Sequence, residues 1–129
     1  MGTRGIRIYS RSLKYTDEEV KLPNGTSASV RYSREKGIDI RIALDMVRMA
    51  RENRYDVALI FSQDQDLSEV ADEVKSISIQ QNRWIKVACA FPSSPSYKNQ
   101  RGIEKTEWIR MDQVTYDRGI DPNDYRKTL

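Results

Sequence analysis

Hydrophobic positions recur along the chain with two periods, and each period predicts a kind of element. Apolar residues at helical spacing predict an amphipathic helix over residues 39–53 and a second over residues 67–82. Between them, residues 57–62 form a continuously apolar run, which is typical of a strand covered on both faces in a parallel sheet. Residues 84–91 alternate and predict the next strand. Helices and strands in this alternation predict βαβ units, and therefore an α/β fold of three α/β/α layers around a mostly parallel sheet.

The two ends of the chain show other patterns. Residues 5–9 alternate and predict a strand, and residues 13–34 predict a β-hairpin excursion because Asn24-Gly25 separates two alternating segments. Residues 107–111 predict a short edge strand, residues 112–118 a helical turn, and residues 119–129 an irregular tail. We expect one domain over residues 1–129.

Composition excludes several kinds of chemistry. The 129 residues contain no His and one Cys, so the chain offers no Ser-His or Cys-His nucleophilic pair, no His-ligated metal and no internal disulfide. Cys89 lies on the apolar side of its predicted strand and is interpreted as a buried small hydrophobe. Any chemistry must come from carboxylates, hydroxyls, Lys and Arg. A net charge of +3 permits nucleic-acid binding without requiring it.

No apolar run is long enough to cross a membrane, since the longest lies within residues 57–61. The chain opens without a charged-then-apolar leader, and its cysteine use fits a reducing compartment, so we expect the cytoplasm.

The strongest candidate for chemistry is the segment Ser62-Gln63-Asp64-Gln65-Asp66, here called the acidic turn (residues 62–66). It follows a predicted strand, and α/β sheets bind ligands beyond the carboxyl ends of their strands. Asp64 and Asp66 would repel each other unless a cation lies beside them, and ligand sets of oxygen alone suit Mg²⁺ or Mn²⁺. The alternative is that Asp66 caps the following helix. Asp39 falls at the start of the preceding helix, where a carboxylate is also favourable without any ligand.

Three motifs together resemble a known family. Lys36-Gly37-Ile38-Asp39, the segment beginning Tyr55-Asp56, and the acidic turn are similar to the pattern Lys-Gly-x-Asp, Tyr-Asp and Ser-Gly-Asp-Ser-Asp of the NYN domain family, a PIN-like group of metal-dependent ribonucleases. The resemblance covers residues 34–125, and residues 108–125 resemble bacterial members.

The resemblance implies a PIN-like, Rossmann-like sheet whose acidic edge holds Mg²⁺ or Mn²⁺ for the hydrolysis of RNA phosphodiester bonds. It places Asp39, Asp64 and Asp66 as catalytic residues and metal ligands. Four basic residues are candidates, on charge and placement, for binding RNA phosphates: Arg34, Lys36, Lys98 and Arg101.

The chain also departs from the family pattern. That pattern opens with an apolar strand ending in an Asp, and nothing similar precedes Gly5, so we expect an N-terminally incomplete domain that lacks the first Asp and has impaired activity. A sheet without that strand would expose an edge, which a homodimer or a partner chain could cover. In addition, Gln63 and Gln65 stand where the family has Gly and Ser.

Three alternative functions stay open. The chain could be a catalytically inactive RNA-binding or regulatory module, which the absent first Asp favours. It could be a phosphohydrolase of the haloacid dehalogenase type with one Asp as nucleophile, although Ser62-Gln63 separate the strand from its first Asp. Finally, the three Asp residues could serve only in helix caps and ion pairs within a protein-binding fold.

Overall fold

The computed structural model describes residues 5–35 and 37–128, and its first regular element is an antiparallel hairpin. Strand β1 (Lys14–Lys21) pairs with β2 (Ser27–Arg34) along its full length. In the turn between them, the Asn24 side chain accepts a hydrogen bond from the Thr26 amide at 3.1 Å, and Gly25 takes a φ of +84° that glycine adopts without steric cost. The predicted hairpin is confirmed.

The predicted strand at residues 5–9 is wrong, because residues 5–13 contain no strand. Ile6 and Ile8 are both exposed, Ile8 by 90%. An alternating segment becomes a strand only when a neighbour bonds its backbone and a surface covers its apolar side chains. The described residues give this segment neither.

Helix α1 (Ile38–Arg51) lies within two residues of its predicted bounds. The Ile38 amide donates to the Glu35 carboxylate at 2.7 Å, which satisfies one free amide of its first turn. The chain divides into two compact units, Met1–Asp45 and Met46–Leu129, so the boundary falls inside this helix. The prediction of a single domain over residues 1–129 stays a prediction.

The second unit contains a parallel sheet in the order β3-β4-β5. Its strands are β3 (Val57–Phe61), β4 (Lys86–Pro92) and β5 (Glu107–Met111). A 3₁₀ turn (Gln65–Leu67) and helix α2 (Ser68–Gln80) connect β3 to β4, and the short helix α3 (Gln113–Arg118) follows β5. A second 3₁₀ turn, Tyr125–Thr128, ends the described chain. The predicted α/β fold is confirmed as a parallel sheet flanked by helices, together with an antiparallel hairpin, which is consistent with a PIN-like fold.

The core of this unit is formed mainly by residues of α2 and of the central strand β4. Four residues of α2 and four of β4 are buried: Val70, Ala71, Val74, Ile77, Ala88, Cys89, Ala90 and Phe91. The predicted burial of Cys89 is confirmed, and its sulfur accepts a hydrogen bond from the Ile103 amide at 3.3 Å. At Gly102 an added Cβ would lie 2.6 Å from the Trp108 ring, so only glycine fits this close approach. These contacts fix the connection between β4 and β5 against the core.

Strand β3 is not covered on both faces, which corrects the sequence prediction. Ile60 is buried on one face, but Val57, Leu59 and Phe61 on the other are about half exposed or more, Phe61 by 70%. Among the described residues β3 pairs with β4 alone, so it lies at the edge of the sheet. A continuous apolar run shows that both faces could be buried, but not that an element is present to cover each one. In the described part of the chain, no helix has the length and apolar character needed to span a membrane.

Candidate functional site

The acidic turn lies directly beyond the carboxyl end of β3, as predicted. Its conformation is held by its own polar groups. The Asp64 amide donates to the Ser62 hydroxyl at 3.1 Å, and the Asp64 carboxylate accepts from the Asp66 amide at 3.0 Å. Both bonds join residues two positions apart, as is usual for Ser and Asp in turns. The sequence therefore specifies this turn locally.

Of the two carboxylates, Asp64 forms the cap and Asp66 does not. Asp64 is the N-cap of the 3₁₀ turn, whereas α2 has Leu67 at its N-cap position without a side-chain hydrogen bond. The interpretation of Asp66 as the helix cap is therefore wrong. Its carboxylate makes no hydrogen bond or ion pair with the residues that the structure describes, and one oxygen of Asp64 is likewise unused. Both side chains thus have oxygen atoms available to a ligand.

Gln63 connects the acidic turn to the β4–β5 connection (residues 93–106). Its side-chain amide donates to the backbone carbonyls of Asn99 and Arg101, both at 3.1 Å. A glycine at this position, as in the family pattern, has no side chain to make these bonds. The substitution at Gln63 therefore adds a tie between two loops at the carboxyl edge of the sheet.

Gln65 makes a second tie to the same connection. Its amide nitrogen donates to the Gly102 carbonyl at 2.8 Å, and its amide oxygen accepts from the Glu104 amide at 3.0 Å. We call Gln63 and Gln65 the glutamine clamp. Because amides are neutral, the clamp holds the β4–β5 connection beside the acidic turn without neutralising Asp64 or Asp66.

The clamp determines where two of the predicted RNA-binding residues lie. Lys98 and Arg101 belong to the clamped connection; Lys98 is exposed without an ion pair in the described part of the chain, and Arg101 pairs with Glu104. Arg34 belongs to the first unit, where it ends β2 opposite Lys14 in the hairpin register. Lys36 falls outside the described residues.

Asp39 is exposed in the first turn of α1 and belongs to the first unit, whereas Asp64 and Asp66 belong to the second. Within residues 5–35 and 37–128, no group of three or more His, Cys, Asp or Glu side chains is arranged to hold a metal ion. The chemistry of the Asp64–Asp66 pair nevertheless fits a hard cation, since Mg²⁺ is commonly bound by one or two carboxylates together with water and substrate phosphates. The assignment of Asp39 as a further ligand stays a prediction.

At the opposite end of β3, Arg83 has a structural role that the sequence did not indicate. Its guanidinium donates to the Ala50 carbonyl at 2.9 Å, the Tyr55 carbonyl at 2.8 Å and the Asp56 carboxylate at 3.1 Å. It thereby adds a second donor to the Ala50 carbonyl in the last turn of α1, which also accepts from the Asn53 amide at 3.2 Å, and joins that end to the start of β3. A single Arg in a loop belongs to no periodic pattern or motif. Its role is therefore visible only from the hydrogen bonds that it makes in the structure.

Tyr55 completes the same junction. Its hydroxyl donates to the Met46 carbonyl at 2.6 Å. Burial raises the pKa of the Tyr55 phenol above its usual value, and the nearby positive charge of Arg83 offsets part of that increase. The Tyr55-Asp56 motif of the sequence therefore joins α1 to β3 and lies away from the acidic turn.

Neither the curated proteins nor the solved structures include a match to the chain. The sequence profile of the NYN domain, by contrast, matches residues 4–99, which is more than half of the chain and includes α1, β3, the acidic turn and β4. The chain therefore belongs to the NYN domain family, and this membership indicates a nuclease-type, RNA-related function.

Proposed function

We propose that this chain is a metal-dependent endoribonuclease in which Asp64 and Asp66 hold Mg²⁺ or Mn²⁺ at the carboxyl edge of the sheet. The observation that carries the proposal is the acidic turn, which presents two carboxylates with unused oxygen atoms in a member of the NYN family. The family profile includes this turn, which supports the proposal that its acidic residues belong to an RNA-related site.

A bound divalent ion would activate water and neutralise the charge that develops on the phosphate. The residues of the chain itself would position the ion and the RNA. Asp64 is held by its bonds within the turn, and the glutamine clamp keeps Lys98 and Arg101 on an adjacent loop where they can attract RNA phosphates. Because the chain has no His, proton transfer would fall to carboxylates or water. Asp39 is proposed as a further ligand from the family pattern, and Arg34 and Lys36 as further phosphate contacts from their charge.

Two further proposals concern the surroundings of the site. The exposed Leu59 and Phe61 on an edge strand support a homodimer or a partner chain at this edge. The cytoplasm is the proposed compartment, on the basis of cysteine use alone.

The test is cleavage of labelled single-stranded RNA with Mg²⁺, with Mn²⁺ and with EDTA. We expect Asp64→Asn and Asp66→Asn to lower the rate by roughly 100-fold or more, as for the loss of other groups that stabilise a transition-state charge. Asn can still cap the 3₁₀ turn, so Asp64→Asn should fold normally. Asp39→Asn in the same assay tests the third ligand.

Asp56→Asn is the matched control, because Asp56 stands at the other end of the same strand and its side chain is 76% exposed. Its cleavage rate should equal that of the unmodified chain. Cleavage that survives EDTA would exclude the metal. RNA binding without cleavage under any metal would replace the proposal with the inactive RNA-binding module.

A further inference from the structure

A concave site lies beyond the carboxyl ends of β4 and β5. It has a volume of about 410 Å³ and is lined by two apolar residues, two tyrosines, three neutral polar residues and one acidic residue. They include Met111, Tyr97, Tyr116, Ser93, Gln113 and the acidic Asp112. Tyr97 is 47% exposed and Tyr116 is 67% exposed. A pocket of this volume, lined by aromatic and apolar side chains together with a few polar groups, is typical of small-ligand sites.

The wall that bears Tyr97 is held by Gln100. The Gln100 amide donates to the carbonyls of Ser94 and Tyr97, and its oxygen accepts from the Ser93 hydroxyl at 3.1 Å. The Ser93 amide in turn donates to the Met111 carbonyl at 2.9 Å, beyond the end of the β4–β5 pairing. Tyr97 therefore belongs to an internally bonded loop, which reduces the ordering that ligand binding would require.

The wall that bears Tyr116 is held by Asp112. The Asp112 carboxylate accepts from the amide and the hydroxyl of Thr115, both at 2.8 Å, and so caps the short helix α3. The same bonds lower the pKa of Asp112. Both walls of the pocket are thus set by hydrogen bonds that exist before any ligand arrives.

The pocket and the acidic turn lie at the same edge of one sheet. The acidic turn follows β3, the pocket lies beyond β4 and β5, and neighbouring strands are roughly 5 Å apart. The clamp ties Gln63 of the acidic turn to Asn99 and Arg101 in the same connection as Tyr97. Lys98, next to Tyr97 in the chain, adds a positive charge without an ion pair among the described residues. An RNA strand at the acidic turn would therefore pass within reach of this pocket.

We propose that the pocket binds one unpaired nucleobase of a single-stranded RNA whose backbone runs past the acidic turn. The ligand class rests on the proposed function. Single-stranded RNA is recognised by stacking of unpaired bases on aromatic side chains, with hydrogen bonds to the base edges and cations on the phosphates. Tyr97 and Tyr116 supply the stacking surface, Ser93 and Gln113 the hydrogen-bonding groups, and Lys98 the charge for an adjacent phosphate.

The first test measures affinity for a labelled single-stranded oligonucleotide by fluorescence anisotropy, with the full chain and EDTA present. We expect Tyr97→Ala and Tyr116→Ala each to weaken binding about tenfold, since base stacking of this kind contributes about that much. Tyr97→Phe and Tyr116→Phe should bind almost as the unmodified chain does, because the ring is kept. The matched control is Tyr15→Ala, which removes an exposed tyrosine from the hairpin. Alanine variants that bind the oligonucleotide as tightly as the unmodified chain would overturn the proposal that this pocket binds a base.

The second test separates the base from the phosphate. Titration of the chain with a nucleoside monophosphate should shift the amide NMR signals of Ser93, Tyr97 and Gln113, and inorganic phosphate should not. Identical shifts with both ligands would show that phosphate alone is recognised, which overturns the proposal. No shift with the nucleotide would show that the pocket does not bind a base, and would also overturn the proposal.

These outcomes are independent of the nuclease proposal. Loss of cleavage in Asp64→Asn with unchanged RNA affinity in both alanine variants would reject the base pocket alone. Weakened RNA affinity in the alanine variants of a chain that never cleaves would reject the nuclease alone.

Discussion

Each end of strand β3 is joined to another segment of the chain, but by a different kind of side chain. At the amino end, Arg83 joins α1 to the start of β3 through two carbonyls and the carboxylate of Asp56. At the carboxyl end, Gln63 and Gln65 join the acidic turn to the β4–β5 connection through backbone groups alone. One end uses a charge for structure, and the other uses neutral amides.

The difference decides what each end can still bind. Only 21% of the Arg83 side chain is exposed, so its charge must be balanced by nearby acceptors, one of which is Asp56. At the carboxyl end the amides carry no charge, and the carboxylates of Asp64 and Asp66 remain unpaired among the described residues. The structural end of the strand is therefore electrostatically satisfied, whereas the acidic end favours a cation.

Of the two junctions, the one formed by Arg83 should contribute more to the stability of the fold. Arg83→Ala leaves the Tyr55 carbonyl without its donor and removes one of the two hydrogen bonds to the Ala50 carbonyl, which also accepts from the Asn53 amide. We expect the free energy of unfolding to fall by about 2–4 kcal/mol. Arg83→Lys should recover only part of this loss, because an ammonium cannot match the fork of the guanidinium. Urea unfolding measures both variants.

The control for that comparison is Arg126→Ala. The Arg126 side chain is 90% exposed, and its one ion pair within the described residues is with Asp124, two positions before it, so its removal should leave the unfolding midpoint unchanged. An Arg83→Ala variant as stable as this control would mean that the junction does not stabilise the fold.

Removal of the glutamine clamp should have a smaller effect on stability. It should also increase the local motion of the β4–β5 connection. Gln65→Ala loses bonds to both Gly102 and Glu104, and Gln63→Ala loses bonds to Asn99 and Arg101; we expect each to cost about 1–2 kcal/mol. The Glu104 amide, which donates to Gln65, should exchange its hydrogen faster in Gln65→Ala. Gln80→Ala, an exposed change at the end of α2, should alter neither quantity. Unchanged exchange at Glu104 would show that the clamp does not order the connection.

The smallest expected effect is the pH dependence of stability that Tyr55 causes at the amino end of β3. Since burial raises the pKa of Tyr55 in the folded chain, the unfolded chain loses this proton first, and the contribution of Tyr55 is complete below its ordinary pKa of 10.0. Stability should then fall as the pH rises above that value, and this part of the decline should be missing in Tyr55→Phe. Tyr55→Phe should also cost about 1 kcal/mol at neutral pH, because the bond to the Met46 carbonyl is lost. Urea unfolding of both chains at neutral and at alkaline pH measures both effects. An equal loss of stability with rising pH in the two chains would contradict the role given to Tyr55.

The accuracy of the sequence predictions followed how local each signal was. The helical stripe of α1 and the Asn24-Gly25 turn placed their elements correctly, since neighbours within a few residues decide both. The strand predicted at residues 5–9 failed, as did the two-sided burial of β3. In each case the pattern described what the side chains could bury, whereas the outcome depended on whether another element was present to cover them.

By itself the sequence determined the order of the α/β elements and the acidic turn, because helical periodicity, turn residues and side-chain bonds between near neighbours act over short separations. The tertiary structure decided that Gln63 and Gln65 form a clamp, that Arg83 joins α1 to β3, and that Tyr97 and Tyr116 line one pocket. These contacts join residues far apart in the chain, such as Gln63 and Arg101 at 38 positions and Arg83 and Tyr55 at 28. Only the pairing of β3, β4 and β5 brings such residues within hydrogen-bond distance, and no local pattern marks them beforehand.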